Sequence, residues 1–324
     1  MKAGGLPPAV LVGVDTEADD QWSAEGRRRL AVRNAERLPA LQALCDGFGV
    51  RPSYLVTHEM AAKKESADVL RGLFRGGRCE IGAHLHPWTS PPFRPEDAAG
   101  HTYPHNLPAD LLDRQLRELT ALIEQELGER PTTYRAGRNG FNGASLPVLE
   151  RLGFTVDTSV DPLFNERRKG GMVFAGAPVV PYHPDYHDVR RRGAAKILEV
   201  PISAATSPAL PKAVEALYAR LRPIPWRGAL RRLGLKAVWL RPSYAALPDM
   251  LAFASRLAAA GVPCFNVIFH SSELLPGGSP YTPDEASVSR FLDDLKRLFE
   301  HLTTRLGAVG RTYREFRAHW DARA

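Results

Sequence analysis

The chain has 324 residues, of which 44% are hydrophobic and 24% charged, with a formal net charge of +7. That balance belongs to a folded globular protein and excludes a disordered or fibrous one, and the length suits one large barrel or two modest domains. No run approaches the roughly 18 apolar residues of a membrane span, no secretory leader is visible, and Cys45, Cys79 and Cys264 form neither a metal finger nor a disulfide framework, so the expected location is the cytoplasm.

The apolar run Val10–Val14, closed by Asp15, reads as a buried first strand, followed by a polar turn over Thr16–Asp20. A helix is expected from about Arg27 to Phe48, where Leu30, Leu38, Leu41, Leu44 and Phe48 share a face. Pro52–Thr57 reads as a second strand, Ala67–Phe74 as a helix, and Cys79–His86 as a third strand. Pro87 ends that strand because proline offers no N–H to a ladder. Residues 89–108 form a long loop, of the kind that is usually functional or mobile. Ala109–Leu127 is amphipathic, with Leu112, Leu116, Leu119, Ile123 and Leu127 in register and Gly128 as the stop.

Thr132–Arg135 is a fourth strand, Leu146–Leu152 a short helix and Phe154–Thr158 a fifth strand. An irregular stretch over 161–192 leads to a strand at Lys196–Ile202 and a short apolar piece at Ala237–Leu240. Met250–Ala260 is a helix and Cys264–Phe269 a buried strand ending in His270. Thr282-Pro-Asp-Glu285 has the form of a capping box before a last helix, and a strand-like Arg311–Arg314 precedes a polar tail.

Strands alternate with helices throughout, without repeats or a low-complexity linker, which predicts the α/β class with a parallel sheet. Seven or eight strands suggest a barrel. One domain is expected over 1–324, with its core at about 9–315, insertions near 88–108 and 161–195, and a basic segment at 212–241. Barrel chemistry sits at the C-terminal ends of the strands. Asp15, His84, Arg135, Asp157 and His270 each lie at or just past such an end.

In Glu80-Ile-Gly-Ala-His84-Leu-His86-Pro-Trp88 two histidines stand at i and i+2. A strand repeats its side-chain direction every two residues, so both imidazoles can face one way, either as part of a metal site or as exposed loop histidines. The segment 212–241 holds eight basic residues against the single acid Glu215 and carries the whole charge excess. It is either a solvated face or an anion-attracting surface, including for an anionic membrane. It lacks a recognised nucleic-acid motif, so no nucleic-acid partner is expected.

Four features in order, Val14-Asp15-Thr16-Glu17, His84-Leu-His86, Tyr134-Arg135-Ala-Gly-Arg138-Asn-Gly140 and Ile268-Phe-His270-Ser-Ser-Glu273, resemble the NodB-type polysaccharide deacetylases, carbohydrate esterase family 4. The resemblance spans about residues 9–270. It implies a distorted (β/α) barrel of about seven parallel strands, a divalent metal, usually Zn2+, and hydrolytic removal of an acyl group, N-acetyl first, from a sugar. It further implies Asp15 as general base, Glu17, His84 and His86 as metal ligands, and Arg135 as the partner of Asp15. It implies as well a backbone N–H near Arg138 facing the oxyanion, His270 as the general acid, and Asp157 orienting it. Arg138 and Trp88 are candidate substrate contacts, and Trp88 and Trp239 either stack on sugar or pack.

The family usually carries adjacent aspartates or Asp-x-Asp, and its second histidine four positions after the first. Here the acids are Asp15-x-Glu17, Trp88 occupies the expected histidine position, and His86 replaces it if the strand stays regular to Pro87. Otherwise His101 or His105 could be recruited. Glu273 reads as a cap or structural ion partner, and His183 and His187 as plain loop or as lid material. The expected partner is an acylated sugar, which the basic segment would allow to be nucleotide- or lipid-linked, with peripheral membrane contact through 212–241. The competing readings are a non-catalytic sugar-binding relative and a barrel glycoside hydrolase built on Asp15 with Glu17 or Glu80. A glycoside hydrolase needs carboxylates facing across a substrate, which neighbours on one strand end fit poorly.

Overall fold

Every residue of the first strand, β1 (Ala9–Thr16), is buried, as a continuous apolar run does when both faces of a parallel sheet are covered. The computed structural model describes residues 7–93, 102–220 and 234–322. Chain order continues with β2 (Pro52–Val56), β3 (Glu80–Leu85), β4 (Thr133–Ala136), β5 (Val156–Asp157), β6 (Leu198–Glu199), β7 (Ala204–Ser207), β8 (Lys236–Trp239), β9 (Cys264–His270) and β10 (Val309–Gly310). Seven parallel strands curl in the order β9-β1-β2-β3-β4-β5-β6, and the two-residue β10 pairs with the foot of β1. The expected distorted (β/α) barrel is the fold observed.

Closure between β6 and β9 is irregular. Ser203 N–H donates to the Asn266 carbonyl at 3.2 Å, and the Asn266 amide donates to the carbonyls of Val200 and Pro201 and to Thr158 Oγ1. One asparagine on β9 thus replaces a missing length of ladder. The helix Ala109–Leu127 forms as expected, buries all five apolar residues named for its face, and stops at Gly128 in the left-handed conformation.

Several elements differ from the expectation. The single helix over 27–48 is broken into Ala24–Arg29, a 3-10 turn at Arg33–Arg37 and Leu38–Asp46. The break has a tertiary cause. Asn34 donates to the Glu17 carbonyl at 2.9 Å and to Asp19 Oδ1, tying this segment to the end of β1. The piece at 237–240 is no barrel strand, because β8 pairs antiparallel with β7 in a separate two-stranded sheet. The strands expected at 154–158 and 196–202 keep only two paired residues each.

The helix Glu285–Glu300 is capped by Asp284 with Ser287 rather than by Thr282 with Glu285. Arg311–Arg314 is not a strand. Thr312 and Glu315 form a capping box that opens a further helix, Tyr313–Asp321, from the expected polar tail. That helix sends the buried Tyr313 hydroxyl to Asn266 Oδ1 at 2.7 Å. The basic segment is described only in part. Residues 212–220 are helical, 236–239 form β8, and 221–233 lie outside the described residues. No described helix is long and apolar enough to cross a membrane.

Candidate active site

The C-terminal ends of β1, β3, β4 and β9 converge on a cavity of about 850 Å³, whose lining includes Asp15, Glu17, His84, His86, Arg135 and His270. Strand register brings them together. Asp15 pairs with His270 across β1 and β9, and His84 with Arg135 across β3 and β4. Trp88 and Arg138 line the same cavity.

Arg135 Nε lies 3.0 Å from Asp15 Oδ1, a close ion pair without an aligned hydrogen bond. Burial alone would raise the Asp15 pKa, but Arg135 first, then His84, His270 and Arg241, outweigh it and hold the carboxylate below its ordinary range. Arg135 is fixed in turn by Thr158 Oγ1 at 3.3 Å. Gly13 leaves room for this guanidinium, since a Cβ there would collide with Tyr313 and crowd Arg135.

His84 and His86 do share a face. Their ring centroids lie 4.6 Å apart, and both rings are buried. His84 Nδ1 is 3.0 Å from the Arg135 carbonyl, which assigns its proton to Nδ1 and leaves the Nε2 lone pair free. Nε2 of His84 and of His86 lie 3.9 Å and 3.3 Å from Glu17 Oε2. Trp88 stacks on His86 at 4.3 Å and 22°, and Gly137 lets the ring pass, because a Cβ there would strike it. His101 lies outside the described residues. His105 packs beside Tyr103 and is not part of this group.

The donor set fits a divalent cation. Glu17, His84 and His86 offer three ligand atoms, all within 4.8 Å of one another. Burial lowers the His84 pKa to about 4 and His86 well below its usual value, so both are neutral donors. Burial, with Asp15 and Glu59 adding like charge, pushes Glu17 well above the carboxylate range. A buried acid in that setting lacks a compensating cation, and one carboxylate with two imidazoles and an open position is a known zinc donor set.

His270 Nδ1 is 2.9 Å from Glu273 Oε1, and its Nε2 turns toward the cavity, 3.9 Å from Asp15 Oδ2 and from Glu17 Oε1. Arg241 Nη2 lies 2.6 Å from the same Glu273 oxygen and 2.8 Å from His270 Nδ1. Burial raises Glu273, but Arg241 and His270 outweigh it and keep it ionised. That favours the tautomer in which Nδ1–H donates to Glu273.

The expected orienting residue, Asp157, is not at His270. It bonds the Ser159 hydroxyl at 2.8 Å and the Glu199 carboxyl beside it on β6. Glu273 therefore stands where Asp157 was expected, besides accepting the His270 main-chain N–H as a cap. Its spacing, three residues after His270 in one turn, was the available signal. Arg241 carried no such signal, since it read as one more charge of a basic surface segment and is in fact buried. His183 is bound by the carbonyls of Ala195 and Ile197. Trp239 is packed, its indole donating to Asp161 at 2.9 Å.

No protein-family model matches the chain, and no curated protein matches it in sequence. Solved structures do share its fold. A Mycobacterium smegmatis protein assigned as a polysaccharide deacetylase superposes with TM-score 0.57 at 13% identity, over 99% of this chain and 93% of that one. A Parabacteroides distasonis protein assigned as a glycoside hydrolase/deacetylase gives 0.60 at 12%, over 98% and 71%. The 4-alpha-glucanotransferase of Thermococcus litoralis gives 0.51 at 13%, over 96% of this chain and 38% of the longer enzyme. The chain thus shares the architecture of proteins assigned as polysaccharide deacetylases.

Proposed function

We propose that the chain is a metal-dependent hydrolase that removes an acyl group, N-acetyl in the first instance, from a sugar. The observation that carries this reading is the meeting of the Asp15–Arg135 pair, the Glu17–His84–His86 donor set and His270 in one cavity. Glu17, His84 and His86 would hold the divalent ion, most simply Zn2+, which supplies Lewis-acid polarisation and lowers the pKa of water.

Asp15, ionised beside Arg135, takes the proton of the attacking water. Arg135 keeps it charged at the cost of some basicity. Arg138 and Asn139 of the turn Gly137–Asn139 line the cavity, and the Arg138 main-chain N–H is the proposed donor to the oxyanion that develops on the acyl oxygen. When the C–N bond breaks, the amine needs a proton. As an imidazolium, with Nδ1–H donated to Glu273, His270 supplies it from Nε2 and returns to the neutral ring.

Glu80 as a glycosidase carboxylate is not supported. It lies at the opposite end of β3, bonded to Ser53 and Thr133. A nucleotide- or lipid-linked substrate and peripheral membrane contact through 212–241 extend the reading; failure to float with anionic vesicles would remove the membrane part. The decisive variant is Asp15→Asn. Acetate release from N-acetylated sugars should fall ~100-fold or more while metal binding persists, and unchanged turnover would refute the base assignment.

A further inference from the structure

Six basic side chains line the cavity against three acidic ones. Several of the cations are accounted for. Arg135 faces Asp15, Arg241 faces Glu273, Lys169 lies 3.0 Å from Glu166, and Arg28 pairs with Glu25. Two remain without an acidic partner among the described residues. Arg27 donates to the carbonyls of Gln21 and Trp22. Arg138 holds its guanidinium carbon 4.2 Å from the Tyr103 ring centroid, a contact that leaves N–H donors of its five for an acceptor.

Arg138 is also held in a costly conformation. Its φ is 54° and that of Asn139 is 56°, two successive non-glycine residues in the left-handed region. Asn139 Nδ2 donates to the Ser159 carbonyl at 2.8 Å and Ala136 N–H donates to Ser159 Oγ at 2.8 Å, which pins the turn on both sides. Strain of this kind persists where the surroundings over-determine it, and it collects at binding sites.

We infer that the substrate is an anionic sugar, and that Arg138 binds its negatively charged substituent, a phosphate or a carboxylate, beside the acylated position. This deepens the deacetylase reading and rests on it for the sugar. A planar guanidinium backed by an aromatic ring presents two parallel N–H donors, the geometry that phosphate and carboxylate both accept. Arg27, on the same cavity lining, adds positive potential.

The test compares dissociation constants for N-acetylglucosamine, its 1-phosphate, its 6-phosphate and N-acetylmuramic acid, by ligand-observed NMR titration on zinc-loaded protein. At least one anionic sugar should bind about tenfold tighter than the neutral one, and the arms tell phosphate from carboxylate and one position from another. The ratio should collapse in Arg138→Gln, survive largely in Arg138→Lys, and fall with added salt. Equal binding of neutral and anionic sugars, or a ratio unchanged in Arg138→Gln, overturns the inference.

The same titration on EDTA-stripped protein separates the two readings. A ratio that persists there supports Arg138 whatever the metal does. A ratio that vanishes on stripping yet survives in Arg138→Gln places the anion on the metal and overturns it. Failure to take up zinc sinks the deacetylase reading alone. Melting curves of both variants confirm that they fold.

Discussion

Two buried glutamates mark opposite ends of the barrel. Glu80, at the foot of β3, accepts hydrogen bonds from Ser53 Oγ at 2.8 Å, Thr133 Oγ1 at 2.6 Å and the Arg314 main-chain N–H at 3.2 Å. The Glu17 carboxylate, past the top of β1, takes none from a main-chain N–H or hydroxyl among the described residues and faces the imidazoles of His84, His86 and His270 instead. Burial raises both. At the foot the fold has compensated its charge with fixed donors, whereas at the top it has kept the charge available for something that binds. The first arrangement serves stability, and the second is the one proposed to serve chemistry.

That contrast can be broken by experiment. The largest effect should come from His84→Ala, which removes a donor from the top group. Hydrolysis should fall about a thousandfold or more with little change in the melting temperature of the metal-free protein, and retained turnover would break the assignment. Glu273→Gln keeps the shape of the turn but loses the charge behind His270, and should lower kcat roughly tenfold with KM nearly constant. An unchanged kcat would return Glu273 to a purely structural cap.

Asp161 sharpens the comparison from the satisfied side. It accepts from Trp239 and from the Leu163 N–H, yet burial still raises its pKa to about 6. The folded state therefore holds the proton more tightly than the unfolded chain. This group's stabilising contribution is complete below the unfolded value near 4 and is lost as pH rises through about 6, by roughly 3 kcal/mol. Denaturant unfolding at pH 4 and pH 6.5 should show that loss in the wild type and a smaller one in Asp161→Asn. Equal slopes would contradict it.

The smallest effects are of opposite sign. Glu80→Gln should cost about 1–3 kcal/mol, since an amide N–H₂ meets donors there. Glu17→Gln should leave the metal-free protein as stable or raise its Tm by ~2 °C, because it replaces a buried acid that no fixed donor compensates. If both variants lose stability alike, the two ends do not differ in the way described.

The barrel and much of this cavity were legible in the sequence because they rest on local periodicity. The run to Asp15, the two-residue spacing of His84 and His86, and the apolar stretch to His270 each fix a side-chain direction within one strand. Lateral placement was not legible. Asp157 sits at a strand end as expected, but on β5, beside Glu199 and away from His270. Arg241 is two residues past β8 and reads locally as surface charge, yet a buried carboxylate and the rings of Tyr244 and Tyr281 enclose it. The break in the helix at Leu30 depends on Asn34 reaching Glu17 and Asp19, contacts that helical spacing does not encode. The helix from Tyr313 has a local capping signal in Thr312 and Glu315, which competes with the strand-like pattern over 311–314.

The central claim is that Glu17, His84 and His86 hold a divalent ion. Zinc titration calorimetry on EDTA-stripped protein tests it directly. One equivalent should bind to the wild type, and His86→Ala, which probes the displaced histidine, should weaken that binding by a hundredfold or more, on the order expected for losing a ligand. Less than about a tenth of an equivalent bound, or equal affinity in His86→Ala, would contradict the account.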